Sequence, residues 1–137
     1  MRILLMIMAN VMVAIVSVMA VHEYHSLKRF PSFTMPFTDK LVSLGIIDPS
    51  RRDSLLKEEK ISHYVGIILS IIVWLMLTKF MAGASAIAVF VIAVIIQLIF
   101  LKPELVETTS TRNQYFNNHK KDINELKYHD YLESLNQ

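Results

Sequence analysis

The fold is decided by two apolar stretches on either side of one lysine: ISHYVGIILSIIVWLMLT at residues 61–78 and FMAGASAIAVFVIAVIIQLIFL at residues 80–101, with Lys79 between them. A helix needs roughly 20 apolar residues to cross a hydrocarbon core about 30 Å thick. A single helix over residues 61–101 would be about 60 Å long and would overshoot the bilayer. We therefore predict two spans joined by a tight turn near Gly83.

A third apolar run, residues 3–21, follows directly on Met1 and Arg2 and is about 28 Å long as a helix. Hydrophobic residues make up 53% of the 137 residues, which is high for a soluble domain. The predicted class is an all-α integral membrane protein with an N-terminal transmembrane helix, a tight transmembrane hairpin, a juxtamembrane helix and a C-terminal amphipathic helix. The predicted divisions are transmembrane helix 1 at 1–21, a loop at 22–60, transmembrane helix 2 at 61–78, the turn and transmembrane helix 3 at 79–101, and a tail at 102–137.

The basic residues are distributed unevenly between the two sides that three spans create. Arg2 and Lys79 share one side, and the other twelve of the 14 lysines and arginines lie in the loop and the tail. Loops rich in Lys and Arg are retained in the cytoplasm. We predict an outside N-terminus and a cytoplasmic loop and tail, with a bacterial cell membrane as the expected location.

The loop begins with a segment, residues 28–37, that combines two cations, three phenylalanines and two prolines. The prolines disfavour a continuous helix, and aromatic and basic side chains suit the lipid headgroup level. We expect this segment to lie on the inner membrane surface; the alternative is that it packs against the protein's own helices. The residues assigned to the membrane interface are Lys28, Arg29, Phe30, Phe33, Phe37 and Lys102.

A helix start follows later in the loop, at Asp48 and Pro49. A capping side chain followed by proline at the first helical position is a strong N-terminal signal. The predicted helix continues from Pro49 to Thr78, so that its first turns are juxtamembrane. A shorter helix is expected to begin near Thr38 and to be broken at Gly45 or Asp48.

From Arg112 onward, the apolar residues of the tail recur with the period of an amphipathic helix. The apolar residues after Lys127 lie on nearly the opposite face of that helix from those before it. Such a shift indicates either a break in the helix or two partners on two faces; a weakly patterned, solvated helix is the alternative. The partner-docking candidates are Tyr115, Phe116, Ile123, Leu126, Tyr131 and Leu135.

Polar and small residues within the spans predict helix packing. Asn10 and Ser70 lie at similar depths, and a polar group in hydrocarbon needs a hydrogen-bond partner. A role for Asn10 in conduction or substrate binding is the less favoured alternative. Small residues along the third span permit close approach of another helix. The helix-packing candidates are Asn10, Ser70, Ala82, Ser85, Ala86 and Ala93.

Three histidines are the candidates for a metal site. His22 and His25 lie three residues apart at the inner end of the first span, and His63 lies at the start of the second. Zinc takes three or four ligands, and two imidazoles at this spacing are only weak evidence for it. The chain has no cysteine, so a thiolate site and a disulfide are excluded. We expect no metal and no cofactor.

The sequence shows no catalytic motif: no phosphate-binding loop, no nucleophile elbow and no zinc-protease motif. The three spans contain no Asp, Glu or Arg that would mark an ion pathway. Acidic residues nearly balance the cations of the loop and tail, which disfavours nucleic-acid binding. The chain is therefore expected to be non-enzymatic.

Three functions remain. The leading hypothesis is an accessory or scaffold subunit of a larger membrane complex, with the lipid bilayer and other membrane subunits, or further copies of the chain, as partners. The second is a self-assembling, membrane-permeabilising protein, since the three short spans, outside N-terminus and charged inner tail resemble the layout of some phage holins. The third is a membrane immunity or regulatory protein that binds one membrane target.

The first span also permits interpretation as a cleaved signal peptide, because residues 18–20 resemble a small-residue cleavage site. Cleavage would reverse the predicted orientation, and the basic residues argue against that outcome. We predict that the purified protein retains its first 20 residues. Intact-mass spectrometry checks this, and a chain beginning at Val21 would overturn the topology.

Overall fold

The computed structural model describes residues 2–135, apart from the side chains of residues 81 and 82. Helix accounts for 88% of the described residues, which contain no strand, and this confirms the all-α class. The α-helices are α1 (Arg2–Arg29), α2 (Met35–Ser43), α3 (Arg52–Leu77), α4 (Ala84–Phe100), α5 (Thr109–His119) and α6 (Glu125–Leu135). Two π-helical turns (Phe30–Thr34 and Thr78–Ala82) and two 3-10 turns (Pro49–Arg51 and Lys120–Asp122) connect them.

The start of the loop is helical, which differs from the expectation that the prolines in residues 28–37 disfavour a continuous helix. A continuous helical run extends from Arg2 to Ser43. Pro31 and Pro36 each lie in the first turn of a new helical segment, the π-turn and α2 respectively. Proline is tolerated at such positions, and a widened π-turn relieves the hydrogen-bond ladder where an N–H is missing. The prolines therefore change the type of helix without breaking it.

The predicted break and restart after α2 are confirmed. Gly45 has a φ of +74°, in the left-handed region that favours glycine, just beyond the end of α2. The Asp48 side chain accepts a hydrogen bond from the backbone N–H of Ser50 at 2.9 Å, and Pro49 opens the next helical segment. The helical run that follows extends from Pro49 to Phe80, as expected.

The turn between α3 and α4 is formed at Gly83, where the sequence predicts it. Gly83 has φ 59° and ψ −146°, a conformation that side-chain-bearing residues rarely adopt. Among the described atoms outside Gly83 and its two chain neighbours, none lies within 4 Å of a Cβ built on Gly83, so backbone conformation, and not lack of space, favours glycine here.

The chain forms two compact units, each made from separate stretches of sequence. One, here called the apolar unit, comprises Met1–Leu27 and Ser62–Pro103. The other, the loop–tail unit, comprises Lys28–Ile61 and Glu104–Gln137.

The apolar unit has a small core and a large exposed apolar surface. Its buried residues, Ala9, Val13, Val16, Leu77 and Ala86, have Trp74, Val89 and Phe90 packed against them. Most large hydrophobic side chains of α1, α3 and α4 are at least 40% exposed. Two helical runs, those beginning at Arg2 and Pro49, are long and apolar enough to span a membrane, while α4 has 17 residues. This exposure is expected of helices whose solvent is lipid.

The loop–tail unit has a conventional core built from both of its stretches. Aromatic and aliphatic side chains from the loop and the tail form one buried cluster: Phe30, Phe33, Phe37, Leu41, Ile46, Ile47, Leu55, Leu56, Tyr115, Ile123, Tyr128 and Tyr131. The two stretches also pair through their backbones. Ile47 and Ile123 form an isolated antiparallel bridge, and the Asn124 N–H donates to the Ile46 carbonyl at 2.9 Å.

The tail contains two helices, which corresponds to the break that was one of the alternatives left open for the tail helix. The break falls between α5 and α6, close to the shift of apolar face near Lys127. Its cause is the backbone pairing at residues 123–124, because an extended segment that bonds to the loop cannot also continue a helix.

Two nearby leucines, one buried and one exposed, allow a matched test of the core of the loop–tail unit. Leu41 is 0% exposed and Leu44 is 49% exposed, three residues further along the chain. We expect Leu41→Ala to lower the free energy of unfolding by about 2–5 kcal/mol, through lost burial and a cavity. Leu44→Ala should change it by less than about 0.5 kcal/mol. Thermal unfolding in mild detergent, followed by near-ultraviolet circular dichroism, measures both; equal effects would contradict the observed core.

Candidate functional site

Two polar contacts join α1 to α4 within the apolar unit. Ser85 Oγ donates a hydrogen bond to Asn10 Oδ1 at 3.1 Å. Gln97 Nε2 donates to Ser17 Oγ at 3.0 Å, and Ser17 is fully buried. Interhelical bonds of this kind contribute about 0.6–2 kcal/mol each in a bilayer. Asn10 and Ser85, both helix-packing candidates, are thus brought together.

The contact between Ser17 and Gln97 was not predicted. Gln97 lies near the end of the predicted third span, and from the sequence alone headgroup solvation is enough to account for an amide there. A signal was nevertheless present, since Ser17 and Gln97 each lie about four or five residues from the inner end of a predicted span. Matching polar residues by depth would have paired them.

The remaining helix-packing candidates have different surroundings. Ala86 is fully buried, and its carbonyl accepts a hydrogen bond from Trp74 Nε1 at 3.2 Å. The Ala93 carbonyl accepts a second bond from Gln97 Nε2, at 3.1 Å. Ser70 is buried and donates to the Gly66 carbonyl of its own helix at 2.9 Å. The Ala82 side chain lies outside the described residues.

The three histidines do not converge. His63 Nδ1 lies 2.5 Å from Glu23 Oε2 and so links α3 to α1. Gly66 makes this approach possible, because a Cβ there would lie 2.8 Å from the Glu23 carboxyl carbon. Within residues 2–135, no group of three or more His, Cys, Asp or Glu side chains is placed to hold a metal ion.

The phenylalanines assigned to the membrane interface lie inside the loop–tail unit. Phe33 stacks on Phe37 with ring centroids 5.0 Å apart, and Phe37 meets Tyr115 edge-on at 5.0 Å. Phe30 is buried in the same cluster. The structure therefore corresponds to the alternative interpretation, packing against the protein's own helices.

Three basic residues were also assigned to the interface. Arg29 is engaged within the loop–tail unit: its Nε donates to the Glu104 carbonyl at 2.7 Å, and its Nη1 donates to Gln114 Oε1 at 2.6 Å. Lys28 and Lys102 are exposed. Of the three basic residues assigned to the interface, these two lysines are the exposed ones and are accessible to headgroups.

Most of the docking candidates face the interior of the loop–tail unit. Tyr115, Ile123 and Tyr131 are buried in its core, and Phe116 is partly buried and packs against it. These four are covered by the chain's own loop and are not available to a partner in this conformation. Leu126 is 80% exposed and Leu135 is 44% exposed. Periodicity identified an apolar face correctly but could not tell what covers it.

The buried tyrosines have polar partners as well as apolar neighbours. Tyr115 and Thr38 share a hydroxyl hydrogen bond of 2.7 Å between the tail and α2. Burial raises the pKa of Tyr115, so its hydroxyl remains neutral at physiological pH. A neutral hydroxyl can take part in this bond without placing a charge in the core.

Glu107 is the centre of a polar network in the loop–tail unit. Its Oε2 accepts hydrogen bonds from Tyr131 at 2.9 Å and from Arg112 at 3.0 Å, and its Oε1 lies 3.4 Å from Lys40 Nζ. Burial acts to raise the pKa of Glu107, but the bonds from Tyr131 and Arg112 and the charge of Lys40 outweigh it, so the pKa is lowered. The hydrogen bond with Tyr131 is the main cause that raises the pKa of Lys40.

Two further contacts connect the loop to the tail. Arg51 Nε lies 3.1 Å from Asp122 Oδ1 in an ion pair. His119 Nε2 lies 3.3 Å from Glu59 Oε1, a contact that is an ion pair only when the imidazole is protonated. The His119 and Glu59 side chains are both about nine-tenths buried. Together with the Glu107 network, these pairs fix which loop positions face which tail positions.

No protein-family model matches this chain, and neither a curated protein nor a solved structure matches it.

The lowered pKa of Glu107 predicts that the contribution of this residue to the stability of the fold depends on pH. A carboxylate with a lowered pKa stabilises the fold above its ordinary value of 4.5 and loses that contribution as the pH falls through the lowered pKa. Glu107→Gln should cost about 1 kcal/mol at neutral pH. The difference in Tm between this variant and the wild type should shrink as the pH is lowered below 4.5.

Glu133→Gln is the matched control, because Glu133 is an exposed residue of the same tail. It should behave as the wild type at every pH. A difference between Glu107→Gln and the wild type that stays constant from neutral to acid pH would contradict the assigned network.

Proposed function

We propose that this chain is a three-span integral membrane protein whose loop and tail lie together in the cytoplasm. The carrying observation is the shared core of the loop–tail unit, which requires Lys28–Ile61 and Glu104–Gln137 to be in the same compartment. The chain between them must therefore cross a bilayer an even number of times. If α3 crosses, α4 must cross back, and its 17 residues are at the lower end of the range for a span.

The distribution of charge supports the same orientation. The loop and tail carry twelve of the 14 basic residues, so the side that holds the loop–tail unit is the side that the positive-inside rule assigns to the cytoplasm. The N-terminus is then outside. The expected location remains a bacterial cell membrane.

The contacts of α1 favour retention of residues 1–20. Asn10 and Ser17 hydrogen-bond to α4, and Ala9 and Val13 are fully buried. Removal of this segment would leave the Gln97 amide without the serine to which it donates. Because this segment completes the packing of its own unit, the proposal treats it as a retained span.

Within this topology, the chain is proposed to act as a non-enzymatic accessory or scaffold subunit of a larger membrane complex. The supporting feature is an exposed apolar site on an otherwise well-packed unit. Lys127 Nζ donates to the Gly45 carbonyl at 3.4 Å, which brings their neighbours Leu126 and Leu44 to the same end of the loop–tail unit. Leu126 and Leu44 are both largely exposed, as hydrophobic anchors for a partner must be.

The two alternative functions make different demands on the chain. A self-assembled pore would need polar side chains along its lumen, whereas Asn10, Ser17, Ser85 and Gln97 are bonded to one another within one chain. An immunity or regulatory protein would also use a docking site, but with a single membrane target. The number of different proteins in the purified complex therefore distinguishes a scaffold subunit from a regulatory protein with one target.

The docking proposal predicts the effect of one substitution on complex formation. Leu126→Glu should remove the chain from a high-mass complex on native gels of mildly solubilised membranes and reduce co-purified partners at least about tenfold, since hot-spot residues contribute 2 kcal/mol or more. Ser134→Glu, which adds the same charged side chain at another exposed position of α6, is the control and should leave the complex intact.

Three outcomes would contradict this prediction. A wild-type chain that migrates as a monomer in native membranes excludes a subunit role. Equal loss with both substitutions indicates damage to α6 and not loss of a docking site. A homo-oligomer, combined with growth arrest and loss of membrane potential on expression, would favour the permeabilising alternative.

A further inference from the structure

A groove of about 340 Å³ lies between α1, α3 and α4 of the apolar unit. Ala20 and Tyr24 line it from α1, Ile71 and Trp74 from α3, and Phe90 and Leu98 from α4. Their polar side-chain groups are the Tyr24 hydroxyl and the Trp74 indole N–H, and the indole N–H is already bonded to the Ala86 carbonyl, so the groove offers a ligand almost entirely hydrocarbon. Binding sites for small apolar ligands have this volume and this type of lining.

Trp74 and Phe90 form a fixed wall of the groove. The Trp74 indole donates a hydrogen bond to the Ala86 carbonyl at 3.2 Å, which holds the ring in one orientation. Its face stacks on Phe90 with ring centroids 4.3 Å apart and planes 17° apart. The wall is therefore already formed without a ligand, and a ligand would not have to order it.

The groove follows the helix axes. From Phe90 to Leu98 it extends along about two turns of α4, roughly 12 Å. Tyr24 lies toward the end of the groove marked by Leu98 and is 48% exposed. Aromatic residues with a polar tip favour the level where acyl chains meet headgroups. The groove is thus apolar along the helix axes, and its end near Tyr24 and Leu98 is at the level of the lipid headgroups.

A cation lies beyond the same end. Lys102 follows the groove residue Leu98 by four positions, is exposed, and has no ion-pair partner among the described residues. An unpaired lysine at headgroup level attracts an anionic lipid phosphate. We propose that the groove binds one acyl chain of an anionic phospholipid, with Lys102 attracting its headgroup.

This inference rests on the membrane insertion proposed above. An acyl chain is the occupant that fits because it is unbranched, wholly apolar and attached to the charge that Lys102 complements. An apolar helix of a partner protein would match the lining but would leave the preference for a negative headgroup unexplained. Charge selectivity therefore distinguishes the two occupants.

Trp74 makes the site directly observable, because it is the chain's single tryptophan. The full chain is reconstituted in phosphatidylcholine vesicles that contain a minor fraction of lipid brominated midway along its acyl chains. Bromine quenches indole fluorescence only at close range. At equal mole fraction, brominated phosphatidylglycerol should be enriched at Trp74 about fivefold over brominated phosphatidylcholine, the effect of one lysine on an anionic lipid.

Two variants and one control test the parts of the site. Lys102→Gln should abolish the preference for phosphatidylglycerol, and Ala20→Phe, which fills the groove, should reduce quenching by both lipids. Ala88→Phe adds the same ring at an exposed position of α4 outside the groove and should have no effect. An unchanged Trp74 emission maximum would show that the substituted chains keep their fold.

The outcomes separate failure of this inference from failure of the proposed topology. Equal, nonzero quenching by both lipids, or a preference that survives Lys102→Gln, would overturn the lipid site and leave membrane insertion intact. No quenching by either lipid would show that Trp74 is not in the bilayer, and would overturn both.

Discussion

The packing of the loop against the tail is the contact on which the rest of the account depends. Phe37 and Tyr115 meet edge-on in a core to which both segments contribute, and Thr38 hydrogen-bonds the same tyrosine. These segments are separated in sequence by the whole hairpin of α3 and α4. Burying aromatic rings from both releases water from a large apolar area, and that gain is available only if both segments reach the same compartment. In the proposed topology, packing of the loop–tail unit therefore constrains how many times the chain between its two stretches crosses the membrane.

The interactions that stabilise the loop–tail unit differ from those that stabilise the apolar unit. The loop–tail unit has a buried core with polar networks, as in a water-soluble domain. In the membrane insertion proposed for the apolar unit, contact between helices in lipid gains little from the hydrophobic effect, so close packing and hydrogen bonds would supply the stability. Small residues such as Ala9 and Ala86 allow that close packing. The bonds between Asn10 and Ser85, and between Ser17 and Gln97, then fix how α1 and α4 are aligned.

Local signals in the sequence predicted local structure well. The Asp48 cap, the break at Gly45 and the turn at Gly83 each depend on one or two residues and their own backbone, and all are observed. The sequence could not predict which distant segments of the chain pack against each other. Phe30, Phe33, Phe37, Tyr115 and Tyr131 show an apolar face without showing what covers it, and that cover is contributed by a segment many residues away. The exposure of Leu126 became interpretable only once the buried face of α6 was known.

Single-cysteine labelling tests the central claim most directly, because the natural chain has no cysteine. The variants Leu44→Cys and Leu126→Cys place a thiol at exposed positions of the loop and the tail, and Lys79→Cys places one near the α3–α4 turn. In intact cells, a membrane-impermeant maleimide should label only the Lys79→Cys variant, and permeabilisation should expose the other two. Labelling of the loop variant and the tail variant from opposite sides would contradict the shared core and the three-span topology together.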